Sequence, residues 1–254
     1  MSTNVRETLI DMTNAPDCET LWDIHSRVMA GYGFDRLLYG YTHFRSGNSL
    51  GDPDDFVVLS NHDSAYLDRF FGENMYFNAP MVAWALENDG AASWRLMHEM
   101  ARSGTMTDSE RRIYDFNQEM GVSAGYSASF RSISPRSKGA IALTATRGTT
   151  QSEVDAIWEE HGRDLLLLNN VAHLKITGLP NRNPRVRSLT PRQREALEWV
   201  GDGKTTQDIA VIMGLSPGTV EKHLRLARET LNVETTAQAV LKASFQNQMF
   251  ILDR

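Results

Sequence analysis

Apolar residues recur at helical spacing near the N-terminus, where Leu21, Ile24, Val28 and Met29 share one face of a segment within residues 3–30. The pattern then changes. "FDRLLYGYTHF" (34–44), "FVVLS" (56–60), "GYSASFRS" (125–132) and "GAIALTAT" (139–146) are short, rich in aromatic, β-branched and small residues, and bounded by Gly, Pro and Ser. They predict strands. Helical spacing returns over 62–104, 107–120 and 152–176, the last as one long helix with Ser152 as its N-cap. Strands from 34–60 and 125–146 in one antiparallel sheet, with helices over both faces, give an α+β class. The expected form is an α-β-α sandwich over residues 1–176.

Beyond residue 188 every apolar stripe is helical. Thr190-Pro191-Arg192-Gln193 is a capping box with proline at the first helical position. Leu197 and Val200 continue that helix, and Gly201 and Gly203 end it. A second helix starts near Thr206, carries Ile209, Ala210 and Met213, and stops at Gly214. Ser216-Pro217 opens a third, with Val220, Leu224, Ala227 and Leu231 on one face. A fourth runs from Thr236 through Ala239, Val240 and Ala243 to Phe250. These predict an all-α four-helix domain over 189–254. "TGLPNRNPRVRSLTP" has three prolines and no periodicity, so residues 177–188 read as a linker.

Composition narrows the classes. The single cysteine, Cys18, excludes an internal disulfide and a cysteine-based zinc site. No run of 18 apolar residues is present, so no membrane span is expected. The first 25 residues carry acids and no continuous apolar core, which argues against a secretory signal and for a cytoplasmic setting. Net charge is −6, but its distribution matters more than its sum. Residues 1–180 hold 24 acidic and 15 basic side chains, whereas 188–254 hold eight of each and 181–187 hold three arginines. The acidic excess belongs to the first domain and leaves nucleic acid open as a partner of the second.

Ala210, Gly214 and Val220 are spaced as a helix–turn–helix requires: a small residue where helices touch, glycine in the turn, an apolar residue in the next helix. The opposite side of that helix carries Glu221, Lys222, Arg225 and Arg228. A helical hairpin for protein contact would share the glycines but would not need these basic residues. The segment from "LTPRQREALEWV" through "GKTTQDIA" and "LSPGTVEKHL" to "LNVETTAQAV" closely resembles the helix–turn–helix DNA-binding domain of LuxR-type regulators. It departs in having Gln193 where the family usually has Glu, and in lacking an Arg near Thr235 or Thr236. The resemblance implies that the helix after Ser216 enters the major groove of double-stranded DNA. Glu221 and Arg225 are then the candidates for base contacts. Thr219, Lys222 and Arg228, with Lys204, Thr205 and Gln207, are the candidates for phosphate contacts. The local alternative for Glu221 and Arg225 is an i,i+4 ion pair. A homodimer on a near-palindromic site is implied, with 152–176 and the last helix (Ala239, Val240, Ala243, Phe250) as candidate seams.

The first domain resembles the autoinducer-binding domain of the same quorum-sensing family through Tyr66, Phe70, Ala79, Pro80, Trp94 and "GVSAG" (121–125). The family pattern places Trp, Tyr and Asp where this chain has Tyr66, Phe70 and Ala79. The resemblance implies a cavity for a small apolar signal such as an acyl-homoserine lactone, in which the Asp accepts the ligand amide N–H. Ala79 cannot accept and Phe70 cannot donate. Tyr66, Asn78 and Thr144 are the candidate polar handles; Trp84, Trp94 and Tyr126, with Tyr39 and Tyr41, are the candidate wall. Three readings stay open: a lactone held by altered contacts, a different small molecule, or a filled aromatic core serving dimerisation alone. An interaction module that inactivates another regulator as a mixed dimer is a further alternative. Catalysis is not expected. His62-Asp63 and His98-Glu99 are sequence neighbours that point apart, and no phosphate loop, nucleophile elbow or spaced metal set occurs. No cofactor is implied beyond the signal itself.

Overall fold

The computed structural model of the chain describes residues 4–46, 50–179 and 188–250. Five antiparallel strands form one sheet: β1 (Phe34–Thr42), β2 (Val57–Ser60), β3 (Gly90–Ser93), β4 (Gly125–Ser129) and β5 (Lys138–Ala145), in the order β2-β1-β5-β4-β3. The register sorts side chains by size. Leu38 lies opposite Ala142, which lies opposite Ser127; Gly40 lies opposite Ala140, which lies opposite Ser129. That face is therefore floored by small residues. One residue along, the other face carries Leu37, Tyr39, Tyr41, Tyr126, Ile141 and Leu143, because side chains alternate with a period of two.

The large-residue face is filled. It packs against α2 (Cys18–Gly31), on which α1 (Val5–Asn14) rests, and against the long α7 (Gln151–Gly178). Trp158 of α7 stacks on Tyr126 at 4.0 Å, and His173 stacks on Phe130 at 4.2 Å. Tyr39 Oη and His173 Nδ1 share a hydrogen bond of 2.9 Å, and His25 Nε2 meets Asn169 Oδ1 at 3.1 Å between α2 and α7. The small-residue face is roofed by α3 (Ser64–Gly72), α4 (Pro80–Glu87), α5 (Arg95–Ser103) and α6 (Asp108–Glu119), with a core of Phe56, Tyr66, Phe70, Met97, Ile113 and Phe116.

Several sequence expectations change. Strand β3 lies inside 62–104, which reads as helical throughout; its sequence, "GAAS", has no β-branched or aromatic residue to mark it. The cap of α7 is Thr150, not Ser152. Thr150 N–H donates to Glu153 Oε2 at 2.8 Å, and Glu153 N–H returns to Thr150 Oγ1 at 3.3 Å. Within α7, Leu165, Leu168 and Ala172 are buried, whereas Leu167 and Leu174 are exposed, so only the latter pair remains on the candidate seam. Helix α7 carries through Gly178, two residues into the expected linker, and 180–187 lie outside the described residues.

The chain divides into two compact units, Met1–Thr177 and Gly178–Arg254. The second holds α8 (Pro191–Gly201), α9 (Thr206–Met213), α10 (Pro217–Leu231) and α11 (Thr236–Phe245). Capping boxes open three of them: Thr190 with Gln193, Thr205 with Asp208, and Thr235 with Gln238. Gly214 ends α9 at φ +66°, a left-handed conformation that glycine adopts without a steric penalty. The fourth helix stops at Phe245 rather than Phe250. Ala239 and Ala243 are fully buried against Leu197, Val220 and Ala227, so they belong to the unit's own core and not to a seam. Leu241 and Phe245 are the exposed apolar residues of α11. Replacing Thr235 by Ala removes the acceptor of the Gln238 N–H, a bond of 3.1 Å. It is expected to destabilise the second unit by about 1 kcal/mol, read as a lower melting temperature in Trp199 fluorescence.

Candidate functional site

Small residues under a helical roof leave space. A cavity of about 180 Å³ lies between the sheet and α3–α6, walled almost wholly by apolar atoms. Trp94 closes one side. It lies flat on β4, where Gly125 is required: a β-carbon there would stand 2.3 Å from Leu143 O and 3.0 Å from the indole. Trp94 Nε1 donates to Ser127 Oγ at 3.0 Å, which fixes the ring across the strand. Phe70, Ala79, Pro80 and Thr144 also line the cavity, as the sequence suggests. Tyr66 lines it too, in a stack of parallel rings: His62 at 4.6 Å, Phe70 at 5.4 Å and Phe116 at 5.3 Å.

Three expected wall or handle residues lie elsewhere. Tyr126 faces α7, because its neighbour Gly125 is the residue paired with Thr144 on the cavity face. Asn78 ends a 3-10 turn (Met75–Asn78) and is exposed. Trp84 packs half-buried behind the lining without reaching it. Tyr39 and Tyr41 border the cavity through β1, but their rings lie against His173 on the opposite face. Ala79 also occupies the N-cap position of α4 and offers no side-chain hydrogen bond there.

The polar atoms of the cavity come largely from residues that sequence reasoning does not single out. His62 Nε2 lies 3.4 Å from Thr144 Oγ1, and Tyr66 Oη donates to Asn117 Oδ1 at 3.1 Å. Burial, aided by the charge of Arg36, pushes the His62 imidazole down to about 4, so the ring is neutral at pH 7. Burial raises the Tyr66 phenol well above its ordinary value. Ser127 has a signal in the strand period, since it shares the parity of Gly125. Asn117 has none; only the docking of α6 brings it to Tyr66.

In the second unit, α10 divides cleanly. Val220, Leu224, Ala227 and Leu231 are buried, while Glu221, Lys222 and Arg225 are exposed. Lys204, Thr205 and Gln207 are exposed at the start of α9, and Thr219 is half-buried beside Ser216, with Oγ–Oγ1 2.9 Å. The expected Glu221–Arg225 pair is replaced by two other contacts. Arg225 Nη1 binds Glu229 Oε1 at 2.5 Å, one turn further on. Glu221 Oε1 accepts from Thr206 Oγ1 at 2.9 Å, which ties the start of α9 to α10. Arg228 is half-buried and donates to Thr236 Oγ1 at 2.8 Å, so it braces α11 as well as bordering the polar face.

Comparison with known proteins separates the same two regions. Residues 17–176 match the autoinducer binding domain, and 187–243 match the bacterial regulatory proteins of the luxR family. Among relatives, the transcriptional activator AnoR of Acinetobacter nosocomialis is 25% identical over 230 residues, covering 89% of this chain and 90% of its own. The transcriptional activator LuxR of Aliivibrio fischeri is 21% identical over 245 residues, covering 94% and 86%. Two solved structures share the fold. SdiA in complex with octanoyl-rac-glycerol has a TM-score of 0.53 at 16% identity, with 97% of each chain covered. The ligand-dependent factor CepR2 of Burkholderia cenocepacia also has a TM-score of 0.53, at 15% identity over 68% of this chain and 94% of its own.

Proposed function

The chain belongs to the LuxR family of bacterial transcriptional regulators with an autoinducer-binding domain, and from that premise we propose a homodimeric regulator whose α10 reads a near-palindromic DNA site under control of a small apolar signal. The observation that carries the reading is the split of α10 into a buried apolar side and an exposed side bearing Glu221, Lys222 and Arg225. Arg225 is assigned to a guanine edge and Glu221 to a cytosine amino group. Lys204, Thr205, Gln207, Thr219, Lys222 and Arg228 are assigned to phosphates, which set register without reading sequence. The dimer is assigned to Leu167 and Leu174 on α7 and to Leu241 and Phe245 on α11, the apolar residues of the two candidate helices that each unit leaves exposed. No helix among the described residues is long and apolar enough to cross a membrane, and the proposed setting is the cytoplasm, where the DNA lies.

The signal enters the first unit. Tyr66, Phe70, Ala79, Pro80, Trp94 and Thr144 are its proposed contacts, joined by His62, Asn117 and Ser127. Two half-sites one helical turn apart, about 34–36 Å, suit two α10 helices related by a two-fold axis. The test is a gel-shift titration on duplexes selected from a random pool, with the half-site spacing varied. Tight binding at one spacing, by a species that sediments as a dimer, is expected. A chain that binds no selected duplex but co-sediments with another regulator would replace this reading with the mixed-dimer one.

A further inference from the structure

Strand β3 ends at a junction that faces two ways. Ser93 lies opposite Tyr126 in the sheet, so it shares the face that packs on α7. Trp94 follows it onto the cavity side, where it is 3% exposed and lines the cavity. Arg95, the first residue of α5, turns back towards α7. One residue of the cavity wall is thus held between two that reach the helix behind the sheet.

What those two reach is a single carboxylate. Ser93 Oγ donates to Asp155 Oδ1 at 2.7 Å. Arg95 donates to Asp155 Oδ2 through Nε at 3.0 Å and through Nη2 as well. Gln151, one turn earlier on α7, shares its Nε2 among Asp155 Oδ1 at 2.8 Å, Ser93 Oγ at 3.0 Å and Gly125 O at 3.2 Å. Its Oε1 accepts from Gly125 N–H at 3.0 Å. Gly125 is the residue on which the Trp94 ring lies, and its carbonyl also accepts from Trp94 N–H at 3.1 Å. Helix α7 therefore grips the chain on both sides of the indole and the strand beneath it. Neither Asp155 nor Gln151 lines the cavity.

The Asp155–Arg95 pair adds little to stability, because the Arg95 side chain is 51% exposed. Its effect is on geometry. The ring itself has one further tether, from Nε1 to Ser127 Oγ at 3.0 Å. A small turn of the backbone at Trp94 swings an indole through a space of only about 180 Å³.

Resting on the reading of this cavity as the signal site, we propose that Asp155 is a positioning residue of that site. It fixes Trp94 from the far side of the sheet through Ser93 and Arg95, so that the cavity wall and the start of α7 move as one body. The shape of the cavity is then set by a carboxylate that no occupant touches.

The test uses the full chain without ligand, labelled with 5-fluorotryptophan and followed by fluorine resonance and amide hydrogen exchange. The five tryptophans give five lines, and Trp94→Phe identifies the line of Trp94. Asp155→Asn, which keeps the shape and loses the charge, is expected to move or broaden that line while those of Trp22 and Trp199 stay in place. A double-mutant cycle then reads the coupling. Trp94→Phe is expected to lower exchange protection at residues 155–160 about tenfold in the natural chain, but less than about twofold in Asp155→Asn. That non-additivity lies within the range for residues of one hydrogen-bonded network. Protection in α2 is the control, since a merely structural role lowers it together with α7. Additive losses spread over α2 and α7, or an unmoved Trp94 line in a folded Asp155→Asn, would overturn the proposal. Should Asp155→Asn fail to fold, Arg95→Gln carries the same cycle from the exposed partner. The cycle involves no ligand, so its failure leaves the receptor reading standing, and a failed receptor reading leaves the positioning role to be decided by the cycle.

Discussion

Replacing Arg225 by Ala is expected to abolish sequence-specific DNA binding and leave the protein folded. Arg225 is exposed on α10, and its guanidinium pairs with Glu229 at 2.5 Å. A surface i,i+4 pair of this kind adds only about 0.3–0.5 kcal/mol, so thermal melting should barely move. A bidentate contact to guanine is worth about 1–3 kcal/mol of discrimination. The proposed dimer loses two, so affinity for the selected duplex should fall at least thirtyfold while binding to scrambled duplex changes little. Lys222→Ala is the contrast, since a lost phosphate contact weakens both duplexes alike and lowers the salt slope by about one. Both are read in one titration series at two salt concentrations. Undiminished specific affinity in Arg225→Ala would move base reading to another residue.

The second large effect is loss of the first unit in mild acid. Burial holds His25, His62 and His173 neutral, each pushed down to about 4 from an ordinary value near 6.5. In the unfolded chain the same rings take up protons near pH 6.5. Between about pH 6.5 and 4 the unfolded state therefore binds more protons, and stability must fall as pH falls. Above pH 6.5 these groups contribute no slope. Each fully effective histidine gives about 1.4 kcal/mol per pH unit, and three together give a limiting slope of about 4 kcal/mol per unit. Asp155, held at about 2 by Ser93, Arg95 and Gln151 against the cost of burial, acts in a separate window below its ordinary value of 3.8. Urea titrations at pH 7.5, 6, 5 and 4.5, followed by the four tryptophans of the first unit, measure the slope. A midpoint that stays level from pH 6.5 to 4.5 would show that these imidazoles are protonated within the fold.

How far the sequence carried depended on the range of the signal. Caps are local, and Thr190, Thr205, Ser216 and Thr235 sit where their polar side chains can reach the third backbone N–H of a following helix. Four of the five strands were legible for the same reason. Strand β3 was not, because "GAAS" is recruited by pairing with β4 rather than by any preference of its own. In the cavity, Trp94, Ala79 and Pro80 were legible from family spacing. Tyr126 was misassigned because ring size was weighed ahead of strand parity, which puts it with Leu143 and not with Thr144. Asn117 and His62 needed the fold, since α6 brings the first to Tyr66 and the turn before α3 brings the second to Thr144 on β5. The Arg225–Glu229 pair was missed in favour of Glu221–Arg225, where Thr206 on another helix competes successfully for the carboxylate.

The tied charges of α10 bear on how such a protein searches a genome. Arg225 is held by Glu229, Glu221 by Thr206 and Arg228 by Thr236, and residues 188–254 carry no net charge. Non-specific affinity for duplex DNA grows with each cation that displaces a counterion. A surface whose Arg225 is already paired with Glu229, in a domain of no net charge, is therefore expected to hold wrong sequences weakly and leave them quickly. On the reading proposed for α10, the bonds to Glu229 and Thr206 are exchanged where bases replace them. Against roughly 10⁶–10⁹ competing sites, occupancy follows the ratio of right to wrong affinities rather than the tightness of either. Removing the restraint with Glu229→Gln would speed capture of any DNA and lengthen each stop at the wrong address.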